Sequence, residues 1–172
     1  MANSIQAKVT GFAAILPKTA AGNIEGYQKA YEANRNRVYS FAFWMTDNEL
    51  AAEELSASTF RRVFAHTETP TEELIDRMLL TEVREITPVG PLTLQCAVST
   101  EVEAIRHNVK RVHLERAVVQ LPSTERFIFV MHDGEGYSHE RIARTLGITE
   151  QESQSGLHQA RLRIRELVAD MK

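Results

Sequence analysis

The sequence has little of several features that define whole classes of protein. It has one cysteine among 172 residues, Cys96, which excludes an internal disulfide framework and a multi-cysteine zinc site. Its longest uninterrupted apolar runs, which include Phe12–Leu16 and Phe127–Met131, are five residues each and too short to cross a membrane as a helix. The formal net charge is only −3, which disfavours a strongly basic protein that coats nucleic acid regardless of sequence.

Composition and charge indicate an ordinary globular chain with two unequal halves. Hydrophobic residues make up 43% and charged residues 25%, and the length allows one sizeable core or two small ones. Residues 23–87 carry seven Lys/Arg against twelve Asp/Glu, a net charge of −5, whereas residues 101–172 carry eleven of each. The first half therefore favours protein over phosphate as a binding partner.

Apolar residues recur at helical spacing along the first half. The spacing predicts helices over Ile24–Met45, from Asn48 to about Ala65, and from Thr71 to Ile86. Asn48 and Thr71 are suitable N-caps because their side chains can accept a bond from the first helical turn. No segment alternates convincingly with period two, so we predict an all-α protein.

The segments on either side of these helices have weaker signals. Lys8 precedes an apolar stretch and Thr19–Ala21 resembles a cleavage site, but the stretch is short and interrupted, so residues 1–22 are predicted to be a loose cytoplasmic tail rather than a signal peptide. Residues 88–100 have proline, glycine and almost no charge, which predicts a linker. Leu92, Leu94 and Val98 leave open the alternative that this segment docks on a neighbouring surface.

The second half ends in the pattern of a helix-turn-helix. Thr100 to Glu103 form a capping box before a helix that Pro122 ends. Ser138 can cap a short helix over His139–Leu146, and Gly147 lies where a helix ends in a left-handed residue. Thr149 to Glu152 form a second capping box before a long helix with Ser153, Leu157, Ala160, Ile164 and Leu167 inward. A short helix, a tight turn and a longer capped helix make a helix-turn-helix.

The outward positions of the second helix of this motif carry amide, hydroxyl and imidazole groups. In a helix-turn-helix this helix enters the major groove, where glutamine pairs with adenine and arginine suits phosphates. The predicted DNA-binding residues are Ser138, Arg141, Gln151, Gln154, Ser155, His158, Gln159, Arg161 and Arg163. Two alternatives stay open, a helix-turn-helix used only for packing and an Arg161–Arg165 stretch that is simply a solvated face.

Enzymatic signatures are absent from the sequence. No histidine pair has the i,i+4 spacing with a carboxylate that a zinc hydrolase needs, and there is no glycine-rich phosphate loop or G-x-S-x-G turn. Asp133-Gly134-Glu135 lacks the rest of a calcium loop, and Cys96 has no base beside it in sequence. We predict a protein that is not an enzyme and has no metal, cofactor or small-molecule substrate.

The second half resembles a known domain. It is similar to the C-terminal domain of the extracytoplasmic-function (ECF) sigma factors of bacterial RNA polymerase, whose pattern runs roughly LP…R-D-x-E-G-x-S-x-x-E-I-A-x-x-L-G-I-…-L-H-R-A-R. The matching residues are Leu121-Pro122, Phe127–Met131, Asp133, Glu135–Ser138, Ile142-Ala143, Leu146–Ile148 and Leu157–Arg161.

The first half resembles the other domain of these sigma factors, which binds the polymerase clamp. The similarity lies in Tyr31…Arg37–Tyr39…Ala42…Thr46–Asn48 and in Ala52–Leu55…Thr59–Arg62. It implies that Glu53, Glu54, Arg61 and Arg62 bind polymerase. The implied organisation is a domain-two-like module over residues 23–87, a linker over 88–100 and a domain-four-like module over 101–172. The implied partners are core RNA polymerase, promoter DNA and an anti-sigma protein, in the cytoplasm and without membrane contact.

Three departures from the family pattern favour a second hypothesis. Residues 71–86 are acidic where the promoter-melting helix of the family is basic, and Gln154 and Gly156 replace the usual Lys and Arg. Glycine also weakens a helix by about 1 kcal/mol relative to alanine. The second hypothesis is a divergent sigma-like adaptor that binds proteins without opening promoters.

Overall fold

The computed structural model describes residues 11–16, 23–95 and 111–171. Regular structure in these ranges is helical, and the chain divides into two compact units, Met1–Thr87 and Pro88–Lys172. The all-α prediction is therefore confirmed. None of the described helices combines the length and the hydropathy that a membrane crossing needs.

Within the described residues, the first unit contains four helices, α1 (Phe12–Ile15), α2 (Ile24–Thr46), α3 (Glu49–His66) and α4 (Glu72–Ile86). Short side chains start the three long ones: Asn23, Asn48 and Thr71 each accept a hydrogen bond from a backbone N–H three residues later. Helix α2 ends at Asp47, which adopts left-handed φ and ψ of 52° and 30°. The predicted helices end within one residue of these bounds because each boundary is set by a local cap.

Aromatic rings form much of the core of the first unit. Phe60 packs edge-on against Tyr31 with ring centroids 5.0 Å apart, and Tyr27 lies 4.7 Å from Phe64. Phe12 of α1 contacts this cluster, with its ring centroid 5.6 Å from that of Tyr31, and Ile15 is only 1% exposed. The prediction of a loose tail over residues 1–22 is therefore wrong for α1, whose apolar side chains gain by burial in this core.

The second unit contains α5 (Arg111–Val119), α6 (Ser123–Phe129), α7 (His139–Leu146) and α8 (Glu150–Asp170). A π-helical turn, Val130–Gly134, continues α6. The apolar core is formed by residues that include Leu121, Phe127, Ile128, Met131, Ile142, Leu157 and Ala160. The predicted capping box at Thr100 and the thiol of Cys96 lie outside the described residues.

Residues 88–95 of the predicted linker lie on the second unit. The backbone N–H of Gly90 donates to the Thr124 hydroxyl at 2.9 Å, and the N–H groups of Thr93 and Leu94 donate to Oε1 of Glu125 at 2.5 and 2.7 Å. Residues 88–95 therefore dock on a neighbouring surface, which is the alternative that the sequence left open for this segment.

Candidate nucleic-acid and polymerase interfaces

Three caps set the geometry of the helix-turn-helix. The Ser138 hydroxyl accepts from the N–H of Arg141, and Gly147 ends α7 with a φ of +75°. Thr149 and Glu152 form the predicted capping box at the start of α8, each accepting the other's backbone N–H. The N–H and hydroxyl of Thr149 lower the pKa of the Glu152 carboxyl because both donate to its charged form.

The two faces of α8 are distributed largely as the sequence predicts. Ser153, Leu157, Ala160 and Ile164 are buried, whereas Leu167 is half-buried. The predicted base-contacting residues Gln151, Gln154, Ser155 and His158 are exposed, and Gln159 is half-buried. The structure therefore presents four of these five side chains together on one open face.

Gly156 has a different role from the one its sequence position suggests. The family resemblance matches this position to a basic residue of the recognition helix, but Gly156 is buried and lies on the side of α8 away from the open face. A Cβ atom built on it would lie 2.7 Å from Cδ1 of Ile128 and 2.7 Å from Cδ2 of Leu92. Gly156 is therefore a packing position, and the absence of a basic side chain there does not reduce the positive charge of the open face.

A polar cluster joins α7, α8 and the π-helical turn. Nδ1 of His139 lies 2.9 Å from the buried hydroxyl of Ser153, and the His139 ring stacks on His132 with centroids 4.6 Å apart. Burial lowers the pKa of His139, and His132 and Arg161 lower it further through their charges. The sequence does not reveal this cluster because its members lie in three separate elements, with His139 seven positions after His132 and Ser153 fourteen positions after His139.

The predicted phosphate-binding arginines differ in their surroundings. Arg161 forms a bidentate pair with Asp133, with distances of 3.0 Å from Nε to Oδ2 and 2.6 Å from Nη2 to Oδ1. Arg163 contacts Glu166 at 3.0 Å, and the guanidinium of Arg141 lies 3.8 Å above the ring of Tyr137. Arg165 is exposed and forms no ion pair with any residue in the described ranges. The sequence analysis mentions Arg165 only within the Arg161–Arg165 stretch and does not place it among the predicted DNA-binding residues.

The four residues predicted to bind polymerase lie on α3 but do not form one cluster. Glu54 and Arg61 pair at 2.5 Å within α3, with 72% of the Glu54 side chain and 41% of the Arg61 side chain exposed. Arg62 instead joins α3 to α4, with bonds of 2.5 Å to Glu82 and 2.7 Å to Glu85.

Glu53 is half-buried beside a small cavity under α1. The cavity is lined by Ile15, Tyr31, Tyr39, Glu53, Ser56, Ala57 and Phe60. Burial raises the pKa of Tyr39, and the nearby Glu49 and Glu53 carboxylates raise it further. Glu54 and Arg61 are therefore better placed for a partner than Glu53 and Arg62.

Metal-binding geometry is absent from the part of the chain that the structure describes, since it contains no group of three or more His, Cys, Asp or Glu side chains able to hold an ion.

Comparisons with known proteins agree with this geometry. Residues 111–164 match the family model for sigma-70, region 4. A chain of the co-crystal structure of the sigma factor RpoE in complex with the anti-sigma factor NepR from Bartonella quintana has a similar fold, with a TM-score of 0.62 and 16% sequence identity. That match covers 87% of this chain and 100% of the other. No curated protein matches the sequence.

Proposed function

We propose that this chain is a sigma factor of the ECF type, which directs RNA polymerase to promoters by holding polymerase with its first unit and the upstream promoter element with its second. The region 4 match over residues 111–164 and the fold shared with a sigma factor support this proposal. The observation that carries the residue-level proposal is the open face of α8, where Gln151, Gln154, Ser155 and His158 are exposed together.

The proposed DNA interface follows from the docking geometry of a helix-turn-helix. The N-terminal half of α8 enters the major groove, so Gln154 and its exposed neighbours meet base edges. Ser138 and Arg141 at the start of α7 contact the backbone, together with Arg163 and Arg165. Arg161 contributes through the Asp133 pair that holds its guanidinium beside the same face.

The proposed polymerase interface is the exposed side of α3. Glu54 and Arg61 lie on that side, and their ion pair is exposed enough to exchange partners at little cost, since such pairs contribute about 0–1 kcal/mol. Arg62 acts mainly within the unit by holding α4 through Glu82 and Glu85. Glu53 lines the small cavity beside α1.

We propose three further properties of the same protein. It works without catalysis of its own and without a cofactor, since sigma factors act as specificity subunits. It acts in the cytoplasm, where promoter DNA and polymerase are found. It is also held inactive by an anti-sigma protein, a proposal supported by the anti-sigma partner of the RpoE chain with the similar fold.

One observation favours the second candidate, a sigma-like adaptor that does not open promoters. The carboxylates Glu82 and Glu85 of α4 are bound to Arg62, and Asp76 is buried and bound to Arg37 at 2.6 Å. Helix α4 is thus acidic and internally satisfied, a poor surface for single-stranded DNA.

Two measurements, made one after the other, separate these two candidate functions. The first is co-purification of the full chain with core polymerase, and the second is run-off transcription by that complex on genomic fragments. A sigma factor gives both a complex and discrete transcripts, whereas an adaptor gives the complex alone. Failure to bind core polymerase in the first step contradicts both.

A further inference from the structure

We propose that residues Val89–Leu94 form a strap that seats reversibly in a peptide-binding groove on the second unit, between α6 and α8, and so sets the length of the connection between the two units. The groove and its contacts follow from the observed distances and do not depend on the proposed function. The consequence for promoter binding rests on the proposed function.

The polar part of the groove binds the backbone of the strap. Thr124, which is 3% exposed, accepts from the N–H of Gly90 at 2.9 Å and lies 3.3 Å from its carbonyl oxygen. Glu125, which is fully buried, accepts from the successive N–H groups of Thr93 and Leu94. Hydrogen bonds from N–H donors to a carboxylate are stronger than neutral ones, so Glu125 is the main polar attachment.

The apolar part of the groove is a notch at Gly156. The absence of a side chain there lets Leu92 approach α8 so closely that a Cβ atom would lie 2.7 Å from its Cδ2. Ile128 of α6 closes the same notch, at 2.7 Å from that position. The helix therefore carries glycine at this point, despite its low helix propensity, because Leu92 fills the space.

The strap is held less firmly than the helices beneath it. Val89 is its one buried residue, at 7% exposed, whereas Pro91 and Thr93 are exposed, Gly90, Leu92 and Leu94 are half-buried, and the segment has no regular secondary structure of its own. Segments with few buried apolar contacts and partly exposed hydrogen bonds open at lower free energy than a core. When the strap leaves, water reaches Glu125, so release does not strand a buried charge.

Seating the strap shortens the connection between the units. Helix α4 ends at Ile86, so only Thr87 and Pro88 separate it from the seated strap. Release of six residues adds up to about 20 Å of reach, at 3.3–3.6 Å per extended residue. A sigma factor that must bind polymerase and an upstream DNA element together depends on that reach.

Hydrogen exchange of the full chain tests the strap without polymerase or DNA. We expect the Thr93 and Leu94 amides to exchange more slowly than in the isolated peptide of residues 88–95 and faster than the α8 amides. Leu92→Asp should accelerate both by roughly tenfold or more, leaving α8 unchanged. Gly156→Ala should also accelerate both amides, but its Cβ would clash with Ile128 of α6 as well as with Leu92, so Leu92→Asp is the selective variant. Leu50→Asp, at a position that is 77% exposed in the first unit, is the matched control.

Three results would overturn the proposal. Amides that exchange as in the isolated peptide show that the strap is not seated. Amides that exchange only with α8 show that it is a permanent part of the unit. If the Thr93 and Leu94 amides exchange at equal rates in Leu92→Asp and in the unmodified chain, Leu92 does not hold the strap in the groove.

Distance measurements test the consequence for the connection. Spin labels at Leu50→Cys and Asp170→Cys, in a Cys96→Ser chain, should show a wider distance distribution when Leu92→Asp is added. An unchanged distribution would overturn the role in setting the connection. Since these experiments contain no promoter or polymerase, their outcome is independent of whether the proposed transcription activity is found.

Discussion

The hydroxyl oxygen of Ser153 lies 2.9 Å from Nδ1 of His139, a contact that joins the two helices of the helix-turn-helix. Ser153 is fully buried and belongs to α8, and His139 is the first residue of α7. Ser153 is the one polar residue among the five inward positions predicted for α8, so this chain places a polar contact within an otherwise apolar set. A titratable side chain therefore takes part in the contact between α7 and α8.

We predict that the second unit loses stability as the pH falls below about 6.5. Burial, with His132 and Arg161, lowers the pKa of His139 in the folded chain, while Glu150 and Asp133 oppose this. The unfolded chain thus binds more protons between the pKa of His139 in the folded chain and the ordinary histidine pKa of 6.5. The contribution of His139 to the stability of the second unit is fully present above pH 6.5. It is lost as the pH falls through the pKa of His139 in the folded chain. Urea unfolding between pH 7.5 and 5, followed by NMR signals of the second unit, measures this.

The control for this pH dependence is His139→Asn, which keeps a polar partner for Ser153 but does not titrate. It should flatten the slope between pH 5 and 6.5, whereas His66→Asn in the first unit should leave it unchanged. Equal slopes for His139→Asn and the unmodified chain contradict the assignment.

We predict that Gln154→Ala reduces discrimination at one base pair of the DNA site. The loss should be roughly 1–3 kcal/mol if the glutamine bonds adenine with both its amide atoms. Binding to scrambled DNA should change little. Titrations against a set of single-base variants measure it, and a loss that is equal on specific and scrambled DNA would show that Gln154 does not meet a base.

We predict that Arg165→Ala weakens binding to all DNA sequences alike. Its guanidinium is exposed and unpaired within the described ranges, so a phosphate contact requires no ion pair to break. The slope of log affinity against log salt should fall by about one. Arg161→Ala should have a smaller effect on that slope because Asp133 already neutralises its charge. The exposed Arg116 on α5 supplies the control, and a larger effect from Arg161→Ala than from Arg165→Ala would reverse the assignment.

We predict that Gly147→Ala destabilises the second unit by about 1–2 kcal/mol, since a left-handed φ is strained for any residue with a Cβ. The φ of Gly147 is +75°. Gly134→Ala is the matched control because its Cβ meets only Val130, at an ordinary 3.6 Å. Urea midpoints of the two variants decide the point, and similar midpoints would argue against strain at Gly147.

We predict that Arg61→Ala and Arg62→Ala separate partner binding from folding. Arg61→Ala should reduce co-purification with core polymerase and change stability by less than about 0.5 kcal/mol, as usual at exposed positions. Arg62→Ala should lower the urea midpoint of the first unit because it leaves Glu82, whose side chain is 10% exposed, without its ion pair. Wild-type polymerase recovery with Arg61→Ala would exclude the exposed side of α3 as the interface.

The sequence alone determined the three long helices of the first unit, α2, α3 and α4, and the helix-turn-helix. Asn48, Thr71, Ser138, Gly147 and Thr149 act on backbone groups within three or four residues, so their effect can be read from neighbours in the chain. The inward and outward faces of α8 followed from helical period for the same reason.

Only the tertiary structure decided which polar groups meet. The pairing of Arg161 with Asp133, the contact of Phe12 with Tyr31 and the fit of Leu92 over Gly156 each join residues that are distant in sequence. Such contacts depend on how helices pack, and a local pattern does not encode that. The same glycine that reads as a weak point in an isolated helix is therefore, in the folded chain, the place where another segment binds.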